Sequence, residues 1–163
     1  MDQSGDSAVI RLTPLRRAAL YVVGLGIFGS GALWLAFHYF LRGQGAFGPM
    51  PHPGEHWARI AHGGFAFATL WLVGMMWERH VTKAWARPHR RLTGLFLLLV
   101  LLVLIVSGYL LYYLGDEALL AQVAMLHWML GLLAPLAFIQ HRLARKNGEA
   151  SGEAVREPNI PLD

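Results

Sequence analysis

Apolar residues run along this chain in four long blocks, at 17–41, 55–80, 92–114 and 118–141, parted by short polar connections. About 20 helical residues cross the roughly 30 Å of a bilayer's hydrocarbon, so each block is long enough to span it. Backbone polar groups in lipid must bond within their own segment, which predicts four helices. The third block contains LFLLLVLLVLIVSGYLLYYL and no charge; the second is the most polar, with His62 and several small residues inside it. Residues 115–117 alone join the third block to the fourth, which predicts a tight hairpin. The connection after the first block, RGQGAFGPMPHPGEH, is too rich in Gly and Pro for a regular helix. The expected fold is all-α, a transmembrane four-helix bundle over residues 17–146. A polar segment, 1–16, precedes it, and a tail, 147–163, is expected to be disordered. The segment MDQSGDSAVIRLTPLRR has no small-residue cleavage site behind a short apolar core, so it does not read as a cleaved leader. No internal repeat is evident.

Charge adds an orientation. A net charge of +4 would fit a nucleic-acid binder, but the basic residues sit at the ends of the apolar blocks. Arg11, Arg16 and Arg17 precede the first block; Arg79, Lys83, Arg87, Arg90 and Arg91 crowd the middle connection; Arg142, Arg145 and Lys146 follow the fourth. The other two connections hold only Arg42 and Arg59 as basic residues. The positive-inside rule then puts both termini and the middle connection in the cytoplasm, with a lipid bilayer rather than nucleic acid as the partner. Tyr39, Trp57, Tyr112 and Tyr113 fall near the outer interface, and Tyr21, Trp77 and Trp85 near the inner one. Hydrophobic residues make up 55% and charged residues 15%, which is greasy for a soluble domain. There are no cysteines, which excludes disulfides, thiolate metal sites and covalent haem attachment through CxxCH.

Eight histidines stand out in so apolar a chain. Ionisable residues inside a membrane are costly and are functional candidates by default. His52, His56 and His89 lie in or beside connections and read as solvated or interfacial; His38, near the outer end of the first block, is ambiguous. The other four form a pattern. His127 and His141 are fourteen residues apart on the fourth block, on nearly one face and roughly 21 Å apart along the axis. His62 and His80 are eighteen apart on the second, five turns and roughly 27 Å. Both blocks run from outside to inside, so His62 shares a depth with His127, and His80 with His141. Two helices offering an imidazole at each of two depths suit two haem groups, each with one ligand from each helix. The two spacings differ by four residues, roughly 6 Å, which helix tilt would have to absorb. Glu78, Arg79 and Lys83 flank His80, so its alternative reading is an interfacial, solvated histidine.

Glycines repeat the interval. Gly94 and Gly108 are fourteen apart on the third block, and Gly131 lies one turn after His127. A flat macrocycle needs helix backbones close to its edge, which glycine permits; tight helix–helix packing is the alternative reading. Arg59, three residues before His62, is a candidate donor to the propionates of an outer haem. Arg79, Arg87, Arg90, Arg91 and Arg142 surround the inner position, where positive-inside charge explains them equally well. Met75, Met76, Met125 and Met129 are conceivable axial ligands, but methionine in an apolar helix is far more often packing.

The stretches HGGFAFATLWLVGMMWERHV, RRLTGLFLLLVLLVLIVSGYLLYYLGDE and LHWMLGLLAPLAFIQHRLAR fall within residues 55–145, more than half of the chain. They resemble the small four-helix cytochromes b of bacterial inner membranes, a group of respiratory-complex subunits and stand-alone haem proteins. The third stretch, with its fourteen-residue histidine interval beside a glycine, is the most specific. The resemblance implies b-type haem, bis-histidine ligation and electron transfer across or along the membrane. It favours His62 and His127 for one haem, and His80 and His141 for the other. The eighteen-residue interval departs from the near-equal spacing of a symmetrical two-haem site, so one or two haems remain open.

Three function classes follow. In the first, the protein passes electrons between a quinol or other donor and a redox protein partner. In the second, the same haem oxidises or reduces a small molecule such as quinol or superoxide directly, with His38, His56 and Arg59 a conceivable quinone site. The outer connections carry too few basic residues to steer an anionic substrate strongly. In the third, a cofactor-free transporter, assembly factor or sensor, the histidines relay protons or bind a metal ion. The blocks hold little intramembrane carboxylate, and no HxxxH pair lies within a block, so this class fits least well.

Overall fold

A computed structural model describes residues 13–77 and 91–154. Among these residues the chain is all-helical apart from one small β-hairpin. The order is α1 (Pro14–Tyr39), β1 (Gly43–Gly45), β2 (Gly48–Met50), α2 (Pro53–Met76), α3 (Arg91–Tyr113) and α4 (Glu117–Ala154). The chain divides into two compact units, Met1–Lys83 and Ala84–Asp163. Each unit is built on one helical hairpin, α1 against α2 and α3 against α4.

Local chemistry sets the helix ends. Thr13 Oγ1 accepts the Arg16 amide at 3.4 Å and Pro14 opens α1, where its missing N–H is no loss. His52 does the same for α2: its Nδ1 accepts the Gly54 amide at 3.0 Å, and Pro53 follows. Asp116 Oδ1 accepts the Leu119 amide at 2.7 Å at the start of α4. Between α1 and α2 the Gly- and Pro-rich connection folds into an antiparallel pair in the register Gly43↔Met50, Gln44↔Pro49, Gly45↔Gly48. Gly48 closes it at φ +115°, a conformation that L side chains rarely adopt.

Three helical segments are long and apolar enough to cross a membrane: Pro14–Tyr39, Leu92–Tyr113 and Glu117–Ala144. The fourth, α2, is long enough, but Glu55, His56, Arg59 and His62 crowd its first half and lower its apolar character. Few side chains are buried within the described structure: Ala58 and Leu72 in the first unit, Val100 and Ala137 in the second, with Ser30, Glu55 and Ser107. Large apolar side chains point outward instead, among them Phe67, 77% exposed, and Leu136, 61% exposed. An outward apolar face over a thin, small-residue seam is the pattern of helices solvated by lipid.

α4 departs from the expected boundaries in two places. The helix continues to Ala154, where the tail was expected to be disordered from residue 147. Glu149, Ala150, Glu153 and Ala154 are good helix formers, and Gly148 and Gly152 cost only about 1 kcal/mol each against alanine. Pro135 also sits inside α4. Its ring removes the amide that would bond the Gly131 carbonyl, so the helix ladder is interrupted between His127 and His141.

Candidate functional site

The two hairpins share one local arrangement. A histidine on the second helix lies against a hydroxyl residue and the glycine that follows it on the first. In the first unit, α1 and α2 run antiparallel and His62 meets Ser30 and Gly31. In the second, α3 and α4 bring His127 to Ser107 and Gly108, and His141 to Thr93 and Gly94. This is a repeated element that the amino-acid sequence does not display as a repeat. The residues joining hydroxyl to histidine differ in number, because the β-hairpin lengthens only the first connection.

Hydrogen bonding fixes the state of one of these rings. His62 Nδ1 lies 2.9 Å from the Ile27 carbonyl, which can only accept, so Nδ1 carries the proton. Ser30 Oγ lies 3.2 Å from the same nitrogen and donates its own proton to the Gly26 carbonyl at 2.7 Å. Ser107 lies in a similar place: its hydroxyl is 2.6 Å from the Val103 carbonyl and 2.8 Å from His127 Nδ1. With the hydroxyl hydrogen on the carbonyl the histidine donates, and with it on the ring nitrogen the roles reverse, so this contact fits either tautomer of His127. In His62 the lone pair lies on Nε2. Ser107 is 3% exposed and Ser30 7%, and each owes its burial to this double role. His141 Nδ1 lies 3.3 Å from Thr93 Oγ1, a contact whose direction either tautomer would allow. Such bonds contribute on the order of 1 kcal/mol between membrane helices; their larger consequence is orientation.

The glycines set how closely the rings approach the backbone. A Cβ built on Gly31 would meet His62 Cε1 at 3.0 Å. On Gly108 it would meet His127 Cε1 at 3.3 Å, and on Gly94 His141 Cε1 at 3.5 Å. Gly94 and Gly108 thus stand beside the histidines whose depth they share. The neighbour each of them faces is the imidazole. Gly131 does not join them: its nearest neighbour is Leu104 Cδ2, 4.0 Å from a built Cβ, and its carbonyl is the one Pro135 leaves without an amide.

The remaining candidates fall elsewhere. His80 lies outside the described residues, as do His89, Arg79, Lys83, Arg87 and Arg90. Arg59 Nη2 is held at 3.2 Å by Glu55 Oε1 one turn earlier on α2, so its guanidinium is already engaged in an ion pair. His52, expected to be solvated, caps α2 and stacks on Phe37 with ring centroids 4.3 Å apart. His38 Nδ1 donates to Glu55 Oε1 at 3.1 Å, and its ring stacks on Trp34. Sequence reasoning missed Ser30, Gly31, Ser107 and Thr93. Part of the signal was present: within the apolar blocks a hydroxyl residue directly followed by glycine occurs at 30–31, 93–94 and 107–108, and the last two pairs repeat the fourteen-residue interval of His127 and His141.

Among the described residues no three His, Cys, Asp or Glu side chains converge to chelate a metal ion. Haem would make no such demand, because the porphyrin would supply four of the iron's ligands. A ring held through Nδ1 on a neighbouring helix with Nε2 carrying the lone pair, as in His62, would fit as a ligand. Comparison with protein-family models, with curated proteins and with solved structures finds no match for this chain.

Proposed function

We propose that the chain is a membrane b-type cytochrome of a bacterial inner membrane. Haem supplies one-electron redox chemistry; the chain's residues hold and tune it. His62 and His127 ligate one haem, and His141 and His80 a second. The pairing rests on the intervals along the helices and on the resemblance of the histidine-bearing stretches to four-helix cytochromes b. The observation that carries the reading is that His62 and His127 are each held through Nδ1 on a neighbouring helix, by the Ile27 carbonyl and by Ser107, which for His62 puts the lone pair on Nε2.

In this reading Ser30, Ser107 and Thr93 are positioning residues that fix ring rotation, and the Ile27 carbonyl fixes the tautomer of His62. The carbonyl on His62 polarises that ring more strongly than a hydroxyl polarises His127, which raises its basicity toward iron. All four helices cross the bilayer as one bundle with both termini cytoplasmic. Outward-facing Phe67 and Trp71 on α2 support its placement in lipid. The donor is a quinol or another reductant, and the acceptor a redox protein partner.

The test is a reduced-minus-oxidised absorption spectrum of protein purified in mild detergent, with haem measured per polypeptide. Two haems per chain and a sharp low-spin b-type band are expected. No haem, after expression with ample haem supply, would sink the reading. Topology is tested separately, because the chain has no cysteine of its own. In intact spheroplasts a cysteine at Ala46→Cys should be labelled by an impermeant maleimide, and one at Asn147→Cys only after permeabilisation. The reverse pattern would overturn the orientation.

A further inference from the structure

The connection between α1 and α2 carries an apolar tip. Phe47 stands at the turn of the β1–β2 hairpin with its side chain fully exposed, and Phe40 and Leu41, just before the hairpin, are exposed as well. Residues 43–53 contain no Asp, Glu, Lys or Arg. The hairpin also has two unlike faces. Residues directly opposite share a face, and successive residues alternate. Met50 therefore shares a face with Gly43, Gly45 and Gly48, and its side chain lies across Gly45, where a Cβ would find no room. Gln44, the one polar side chain between residues 43 and 50, takes the other face with Pro49.

The base of the hairpin is pinned to the end of α1. The His52 ring stacks on Phe37, and the Phe37 ring fills the space that a Cβ on Gly54 would need. Phe37 lies in the last turn of α1, a helix long and apolar enough to cross a membrane. Three-residue strands rise about 10 Å, and the headgroup layer beyond the hydrocarbon is roughly 5–7 Å deep on each side. A tip on so short an arm stays within reach of that layer. A protein partner adding a strand would need free ladder amides, and Pro49 removes one from β2. A partner steered by charge would find none on the hairpin. Lipid needs neither, and apolar and aromatic side chains at the end of a spanning helix suit its interface; exposed Tyr39 and Trp57 flank the same connection.

We propose that the β1–β2 hairpin is a membrane-surface anchor. It lies in the interface of the bilayer that α1 crosses, with Phe47 and Met50 set into the boundary between headgroups and acyl chains and Gln44 turned to water. The inference rests on the membrane reading of α1 and stands whether or not the chain carries haem.

The chain has no cysteine, so a nitroxide label can be placed at single sites of the full chain. In nanodiscs of phosphatidylethanolamine and phosphatidylglycerol, the collisions of each label with oxygen, which favours lipid, are compared with those of a nickel chelate, which stays in water. The oxygen-to-nickel ratio should be several-fold higher at Phe47→Cys and Met50→Cys than at Gln44→Cys. Leu25→Cys, on an exposed position midway along α1, reports the membrane reading itself. Adding Phe47→Asp to Met50→Cys should bring the Met50 label to the ratio seen at Gln44, because a carboxylate resists leaving water. A nickel-accessible Phe47 label with Leu25 still in lipid would leave the hairpin in water and overturn the proposal alone. An immobilised Phe47 label shielded from both reagents would mean that protein covers the tip, and would overturn it too. Nickel access at Leu25 would overturn the membrane reading and the anchor with it.

Discussion

Replacing His127 with alanine is expected to halve the haem bound per chain and to remove one of two low-spin b-type bands. His141→Ala should remove the other, and the double variant should bind none. The expectation follows from the proposed ligation, in which His127, held against Ser107 at 2.8 Å, supplies a ring nitrogen to the haem. His62→Ala should match His127→Ala, because both ligate one haem in the proposed pairing. The controls are His38→Ala and His52→Ala. Neither ring is held as a ligand: His38 is tied to Glu55, and His52 Nδ1 accepts the Gly54 amide as a helix cap. His52→Ala should cost about 1 kcal/mol of stability and leave the spectrum intact. Unchanged haem content in His127→Ala and His62→Ala would remove the ligand assignment altogether. Loss at His52 or His38 equal to that at His127 would show that the histidines act through the fold.

The helices were legible because lipid leaves the backbone so few choices. Uncharged runs such as residues 95–114 set helix ends to within a few residues of those found: α3 was expected over 92–114 and spans Arg91–Tyr113. The α4 terminus was not legible, since beyond Ala144 the apolar run stops and only weak local propensity carries the helix on. Depth matching of Gly94 and Gly108 to the histidines was readable from the fourteen-residue interval. The partner each glycine faces was not, because rotation of α3 against α4 is a packing property. Ser30 and Gly31 were harder still. Their counterpart His62 lies across a connection whose length differs from that of the second hairpin, so no constant offset exposes the repeat. Glu55 reads in sequence as a first-turn acid that complements the helix dipole. Only the fold shows His38 and Arg59 on one of its oxygens and nothing among the described residues on the other.

Alanine in place of each glycine beside α3 and α1 should produce a graded loss of haem, with an order set by distance. Glycine to alanine inside a helix ordinarily stabilises it by about 1 kcal/mol, so any loss must come from what the new methyl meets. At Gly31 that is His62 Cε1 at 3.0 Å, tight enough that the ring must give by a few tenths of an ångström. At Gly108 it is His127 Cε1 at 3.3 Å, tight but open to a small adjustment; at Gly94 it is His141 Cε1 at 3.5 Å, an ordinary contact. A ring turned some 30° from its rotamer costs roughly 0.5–1.5 kcal/mol, about two- to tenfold in ligand affinity. Haem affinity should therefore fall most in Gly31→Ala, less in Gly108→Ala, and stay near wild type in Gly94→Ala. Gly131→Ala is the internal control: a Cβ there meets only Leu104 Cδ2 at 4.0 Å, and the haem content should not change. Valine at the same sites should steepen the series, because its branched side chain cannot avoid the imidazole. Haem titration of each variant, with circular dichroism to confirm the helices, reads the order. Equal losses at all four positions, or the largest at Gly131, would mean that the glycines serve helix packing alone and that the histidine cradles do not position the rings.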